Sequence, residues 1–116
     1  MLTTSYQKGL KGEELAQKYL ENLGFVILHK RFKTAWGELD IVAAKEKSVV
    51  FCEVKLRKYL DLRCITPLQQ KRIENCANFW LTKNCEYLDY NLSFSVLFMI
   101  SSEKRLIYIP NAWTCG

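Results

Sequence analysis

The sequence lacks the features that define several protein classes. It has no C-x-x-C pair, an odd number of cysteines (five) and a single histidine, His29. A zinc site or a disulfide framework is therefore poorly supported, and reduced thiols are the simpler expectation. No apolar run approaches the roughly 20 residues that a transmembrane helix needs, so no membrane association is expected.

Targeting and linker signals are also missing. The first residues, MLTTSYQKGLKGEEL, contain no apolar signal core, which predicts a cytoplasmic location. The chain has no linker rich in proline, glycine or serine, no repeat and no low-complexity stretch. A length of 116 residues then predicts a single domain covering residues 1–116.

The composition is that of an ordinary globular protein with a mild basic excess. Hydrophobic residues make up 49% and charged residues 25% of the chain, which argues against disorder. The net charge of +5 favours a polyanionic partner only weakly, because many basic proteins bind no polyanion.

Hydrophobic periodicity predicts the element order α-β-β-β-α-β-β. The first helix should span residues 6–23, with Glu13 at the border of its apolar stripe and Glu14 facing away from it. That stripe contains Leu15, Ala16, Tyr19, Leu20 and Leu23. The predicted strands cover residues 25–32, 37–44, 48–56, 92–100 and 105–110. This order indicates an α/β protein with a central mixed sheet flanked by helices.

The second helix has the clearest start signal. Thr66 suits the N-cap, Pro67 suits the first helical position, and Gln69 completes a T-x-x-Q capping box. Ile73, Cys76, Ala77 and Trp80 then form its predicted buried stripe.

Charged residues converge if residues 37–56 form a hairpin. A four-residue loop over 45–48 places Asp40 opposite Glu53 and Glu38 opposite Lys55. Two facing carboxylates repel, and a divalent cation removes that conflict. The hairpin therefore predicts that Asp40 and Glu53 bind Mg²⁺, or Mn²⁺ in its place. Lys55 would then serve the attacking water in phosphodiester hydrolysis.

A structural explanation of the same residues stays open. E-x-K is a common string that usually marks an exposed strand face or a cross-strand ion pair, here Glu38 with Lys55. Basic residues near the hairpin could hold nucleic-acid phosphates, although each one alone is typical of a solvated surface. They are Lys30, Arg31, Lys33, Lys55, Arg57, Lys58, Arg63, Lys71 and Arg72. Trp36, in a loop before Gly37, is a candidate for stacking on a base.

These segments resemble the YraN-like family of bacterial proteins, which has a restriction-endonuclease-like fold. The resemblance covers most of the chain and is carried by GLKGEELAQKYLENLGFVIL, GELDIVA, VFCEVKLR and IYIPNAW. It implies a PD-(D/E)XK nuclease site on Asp40, Glu53 and Lys55, with Glu13 as a helix-borne acid. Asp40, Glu53 and the Val54 carbonyl would be the metal ligands.

The chain departs from the family pattern around this site. Arg31 and Lys33 stand where the family usually has Asn and Arg, Trp36 stands where a glycine is usual, and Gln69 replaces a lysine. Within that pattern, Arg57, Gln69, Arg31 and Lys33 are the candidates for binding nucleic acid.

Three functional hypotheses follow. The first is a Mg²⁺-dependent nuclease acting on DNA, with branched or recombination intermediates suggested by analogy with related resolvases. A homodimer is expected with it, because small nucleases that cut two strands often pair. The second is a non-catalytic nucleic-acid-binding module that retains the fold. The third is a protein-interaction scaffold in which Glu38, Lys55 and Asp40 form a structural ion-pair network.

Overall fold

Helices and strands follow one another in the predicted order. A computed structural model describes the backbone of residues 5–114 and the side chains of residues 12–114, and Cys115 lies outside this range. The two helices are α1 (Ser5–Asn22) and α2 (Pro67–Lys83). The five strands are β1 (Val26–Thr34), β2 (Gly37–Lys45), β3 (Ser48–Arg57), β4 (Asn91–Ile100) and β5 (Arg105–Trp113).

The five strands form one mixed sheet in the order β1-β2-β3-β4-β5. All neighbouring strands are antiparallel except β3 and β4, which are parallel from Ser48↔Asn91 to Arg57↔Ile100. A parallel pair needs a long crossover connection, and α2 supplies it. The predicted α/β architecture is therefore confirmed.

Each helix covers one face of the sheet, so β3 lies between two hydrophobic cores. The α2 core contains Trp80, which meets Phe51 edge-on with ring centroids 5.8 Å apart. The α1 core contains Ala16, Leu20, Ile41 and Cys52. Burial on both faces explains why apolar residues are dense throughout β3. Within the described residues, neither helix is long and apolar enough to cross a bilayer.

The predicted register of the β2–β3 hairpin is confirmed along the paired part of the strands. The ladder runs from Lys45↔Ser48 to Ile41↔Cys52. It ends there, one residue before Asp40 and Glu53. These two carboxylates are therefore near each other without forming a backbone pair.

The capping box at the start of α2 is present as predicted. The Gln69 N–H donates to Thr66 Oγ1 at 3.2 Å, and the Thr66 N–H donates to Gln69 Oε1 at 2.9 Å. This local signal fixes where α2 starts, and so which of its residues face the ends of β2 and β3.

Two boundary details differ from prediction. In α1, Ala16 and Leu20 are buried, but Leu15 and Leu23 are 40% and 39% exposed, so the buried stripe is narrower than expected. Strand β5 continues beyond Pro110 to Trp113. A proline is tolerated there because β5 is an edge strand, where no outer neighbour needs its missing N–H.

Candidate functional site

The site begins at an irregularity in β2. Leu39 packs into the α2 core, whereas Ile41 packs into the α1 core. Residues two apart in a regular strand share one face, so the pleat is interrupted at Asp40. The Asp40 carboxylate leaves the strand pattern and accepts a hydrogen bond from the Val54 N–H, at 2.9 Å.

The Val54 carbonyl faces the same gap between β2 and β3. The N–H and C=O of one strand residue point to the same side of the strand. Because the Val54 N–H points to Asp40, its carbonyl oxygen lies on the β2 side, beyond the last backbone pair. This orientation is consistent with the predicted role of the Val54 carbonyl as a ligand.

Glu53 and Lys55 extend the α2-facing side of β3 beyond Phe51. Glu53 is 8% exposed, and its Oε2 lies 3.6 Å from Lys55 Nζ. The Lys55 side chain is 17% exposed, so this ion pair is shielded from bulk water. A shielded pair is screened less by salt than a surface pair.

Glu13 reaches the sheet from α1, as the helical periodicity predicted. Its neighbour Gly12 is buried, and a Cβ atom at that position would lie 2.9 Å from Met99 Sδ. The absence of a side chain at Gly12 lets α1 approach β4 closely. Glu13 is therefore partly buried at the edge of the helix–sheet contact, while Glu14 is exposed.

The acids form a cluster around Asp40. Carboxylate oxygens of Glu13, Glu38 and Asp40 lie within 4.8 Å of one another. Arg31 reaches two of them: its Nε donates to Glu38 Oε1 at 3.3 Å and lies 3.5 Å from Glu13 Oε2. Glu53 joins the cluster on the side of Asp40 that faces Lys55.

Burial disfavours the ionised form of three of these carboxyl groups. Burial, reinforced by the negative charge of Asp40, raises the pKa of Glu53 from its ordinary 4.5 to about 8. Burial also raises the pKa of Asp40, against the opposing hydrogen bond from Val54. The pKa of Glu13 is raised mainly by burial, although Arg31 lowers it.

The arrangement fits a divalent cation. Four carboxylates face two cationic side chains, Arg31 and Lys55, so a fully ionised cluster would carry an excess charge of about −2. Carboxylate and carbonyl oxygens are the hard ligands that Mg²⁺ and Mn²⁺ prefer. Asp40, Glu53 and the Val54 carbonyl remain the residues predicted to hold the ion.

A cleft of about 180 Å³ opens between the hairpin and α2. It exposes Glu38, Glu53 and Lys55 on the sheet side. Gln69 and Arg72 line the helix side, and Trp36 lies at the rim, 48% exposed. The cleft thus combines acidic, basic and aromatic side chains.

The structure gathers only some of the residues predicted to bind nucleic acid. Gln69 lines the cleft. Arg57 instead lines a separate groove with Leu15 and Met99 and donates to its own neighbour's carbonyl. Lys33 is exposed on β1, and Arg31 faces the acids.

Two features of the site differ from the prediction. Arg72 was named only as one of many basic residues near the hairpin, yet it lines the cleft, and its helical spacing of three residues from Gln69 could have selected it. The alternative ion pair between Glu38 and Lys55 is wrong, because Glu38 contacts Arg31 and Lys55 contacts Glu53. The ladder ends before Glu38 and Lys55 could face each other.

Comparisons with known proteins point to one family. The sequence profile of "Uncharacterised protein family UPF0102" matches residues 12–99, which include every acid of the cluster. A UPF0102 protein of Rhodopseudomonas palustris strain BisB5 is 41% identical over 104 residues, covering 88% of this chain and 78% of the relative. UPF0102 proteins of Nitrobacter winogradskyi and Ehrlichia chaffeensis are each 37% identical, covering 91% and 90% of this chain and 90% and 85% of the relatives. The chain therefore belongs to the UPF0102 family.

Proposed function

We propose that this protein is a divalent-metal-dependent nuclease that acts on DNA. The observation that carries the proposal is the convergence of Asp40, Glu53 and Lys55 beside an open cleft. The order of these residues along the hairpin, and the resemblance of their motifs to the PD-(D/E)XK site, support a restriction-endonuclease-like fold.

The acids would hold the cation and Lys55 would act on the attacking water and the phosphate. Asp40 and Glu53, with the Val54 carbonyl, would bind Mg²⁺ or Mn²⁺. When bound, such an ion neutralises charge that develops on the phosphate and makes water more acidic. Lys55 Nζ, 3.6 Å from Glu53, would orient the attacking water and stabilise the negative charge that develops on the phosphate.

Side chains of α2 would bind the substrate. Arg72 and Gln69 line the cleft opposite the acids and can contact phosphate oxygens. Trp36 at the rim offers an exposed ring to an unpaired base. A strand with unpaired nucleotides near a junction suits this combination, and branched DNA is the substrate that we propose. Cleavage of both strands would favour a homodimer, because small nucleases that cut two strands often pair.

A cleavage assay on defined substrates tests the proposal. Single-stranded, duplex and four-way-branched oligonucleotides of matched sequence are incubated with the wild type in Mg²⁺, Mn²⁺ or EDTA. We expect metal-dependent cleavage, strongest on the branched substrate, and none in EDTA.

The matched control removes a carboxylate while preserving shape. Glu53→Gln, purified identically, should lose cleavage, because the amide is a weaker ligand for the ion. Cleavage that persists unchanged in Glu53→Gln would point to a contaminant. Failure of the wild type to cut any substrate, with calorimetry showing no cation binding at millimolar Mg²⁺ or Mn²⁺, would overturn the nuclease proposal.

One observation favours a second candidate, a non-catalytic binding module or scaffold. Arg31 pairs with Glu13 and Glu38, and Lys55 pairs with Glu53, so the charges partly satisfy one another. In that case DNA binding would weaken with salt yet be indifferent to Asp40→Ala. A pure scaffold would bind no DNA, and Lys55→Ala would destabilise it.

A further inference from the structure

Arg31 has a backbone conformation that is unusual for a long charged residue. Its φ is +55°, in the left-handed region that glycine and asparagine adopt more readily. Lys30 and Phe32 pair with Ile41 and Leu39, but the ladder skips Arg31 and the opposite residue, Asp40. The irregular backbone thus coincides with the point where β1 passes the acidic cluster.

The guanidinium of Arg31 connects acids from two different elements. Glu13 comes from α1 and Glu38 from β2, and Arg31 lies 3.5 Å from one and 3.3 Å from the other. Both carboxylates lie within 4.8 Å of the Asp40 carboxylate. Without a cation among them, three carboxylates at this spacing would repel strongly, because partial burial limits the screening by water.

Strained backbone persists only where surrounding interactions compensate for it. At Arg31 the left-handed conformation accompanies a guanidinium that lies between Glu13 and Glu38. The Arg31 side chain is 37% exposed, so its charge lies on the solvent side of the acidic cluster. A cation that approaches the cluster from solvent would therefore meet this charge.

We propose that Arg31 is the resident counter-cation of the acidic cluster formed by Glu13, Glu38 and Asp40. It holds Glu13 and Glu38 together when no divalent cation is bound, and it lowers the affinity of Asp40 and Glu53 for the incoming ion. This inference rests on the proposed function for the nature of that ion. It gives Arg31 a positioning role in place of the phosphate contact predicted from the sequence.

Calorimetric titration of Mg²⁺ and Mn²⁺ tests the inference without any nuclease assay. Wild type is compared with Arg31→Asn, Arg31→Lys and Lys47→Gln. Asparagine tolerates the left-handed backbone, so Arg31→Asn removes charge without adding strain. Lys47→Gln removes one charge next to the β2–β3 turn, at the end of the hairpin away from Asp40.

We expect Arg31→Asn to bind the cation about tenfold more tightly, because a positive charge near a doubly charged ion is removed. Arg31→Lys and Lys47→Gln should stay within about twofold of wild type on the same basis. In EDTA, the unfolding temperature of Arg31→Asn should be below that of wild type. Saturating Mg²⁺ should reduce the difference in unfolding temperature between Arg31→Asn and wild type.

The outcomes separate this inference from the proposed function. If wild type and Arg31→Asn bind the ion equally, or the variant binds it more weakly, the inference is overturned while the metal chemistry stands. If no variant binds an ion, both are overturned. Should Arg31→Asn fail to fold, Arg31→Asn/Glu13→Gln is compared with Glu13→Gln, because one fewer acid relieves the repulsion. Equal affinities in that pair would again overturn the inference.

Discussion

Asp40 Oδ2 accepts a hydrogen bond from the Val54 N–H at 2.9 Å, just beyond the last backbone pair of the β2–β3 hairpin. The carboxylate thus supplies a hydrogen bond between β2 and β3 where the backbone ladder has ended. A buried N–H without an acceptor costs about 1–3 kcal/mol, so Asp40 supports the fold as well as the proposed ion.

Two substitutions of Asp40 should separate these roles. Asp40→Asn keeps an oxygen for the Val54 N–H but loses the charge, so we expect nearly wild-type stability and at least about 100-fold weaker cation binding. Asp40→Ala loses both and should unfold more easily by roughly 1–3 kcal/mol. Thermal unfolding and calorimetry measure the two effects. Wild-type cation affinity in Asp40→Asn would remove Asp40 from the ligand set.

The free energy of unfolding in EDTA should fall as the pH rises from about 4.5 to about 8. The pKa of Glu53 is about 8 in the folded protein and ordinarily 4.5, so the folded state holds this proton more tightly. The resulting stabilisation is fully present below pH 4.5 and is lost as the pH passes 8. Denaturant unfolding at several pH values measures it. Glu53→Gln should flatten the slope, and an unchanged slope would assign it to other groups.

Lys55→Met should reduce cleavage by roughly 10²–10³-fold, the usual contribution of one group that stabilises developing negative charge. DNA binding should change far less, because one phosphate contact at most is lost. Lys58→Met is the matched control: Lys58 is exposed, and its ammonium lies 5.5 Å from the Tyr59 ring centroid. Single-turnover cleavage and a binding titration separate the two effects. An equal loss of cleavage in Lys55→Met and Lys58→Met would indicate a general effect of removing a positive charge.

Gln69→Glu should separate helix capping from substrate binding. Glutamate at this position still completes the capping box with Thr66, so stability should stay within about 0.5 kcal/mol of wild type. The amide group of a cleft residue is lost and a negative charge takes its place. DNA binding should therefore weaken, which fluorescence anisotropy measures. Asn78→Asp, at an exposed position further along α2, is the control, and equal weakening there would argue against a specific contact by Gln69.

Short-range signals account for what the sequence predicted well. The capping box of Thr66 and Gln69 acts within one helical turn, and the hairpin register depends mainly on the turn between Lys45 and Ser48. The position of Glu13 followed from helical periodicity alone. Each of these features depends on residues that are close in sequence.

The remaining features of the site depend on packing between distant residues. The end of the ladder before Asp40 follows from Leu39 and Ile41 entering different cores, and hydropathy cannot show which core each apolar residue joins. The left-handed backbone of Arg31 is equally invisible, because arginine seldom adopts it. The pairing of Glu38 with Arg31 instead of Lys55 follows from these two irregularities.

Asp40 therefore lies between two residues that pack in different layers of the protein. Its neighbour Leu39 is held in the α2 core and its neighbour Ile41 in the α1 core. A substitution that loosens only one layer would tilt the carboxylate relative to Glu53 without unfolding the chain. Loss-of-function mutations should for this reason also occur at fully apolar positions far from any charge. The affinity for the ion would then depend on how well both helices pack against the sheet.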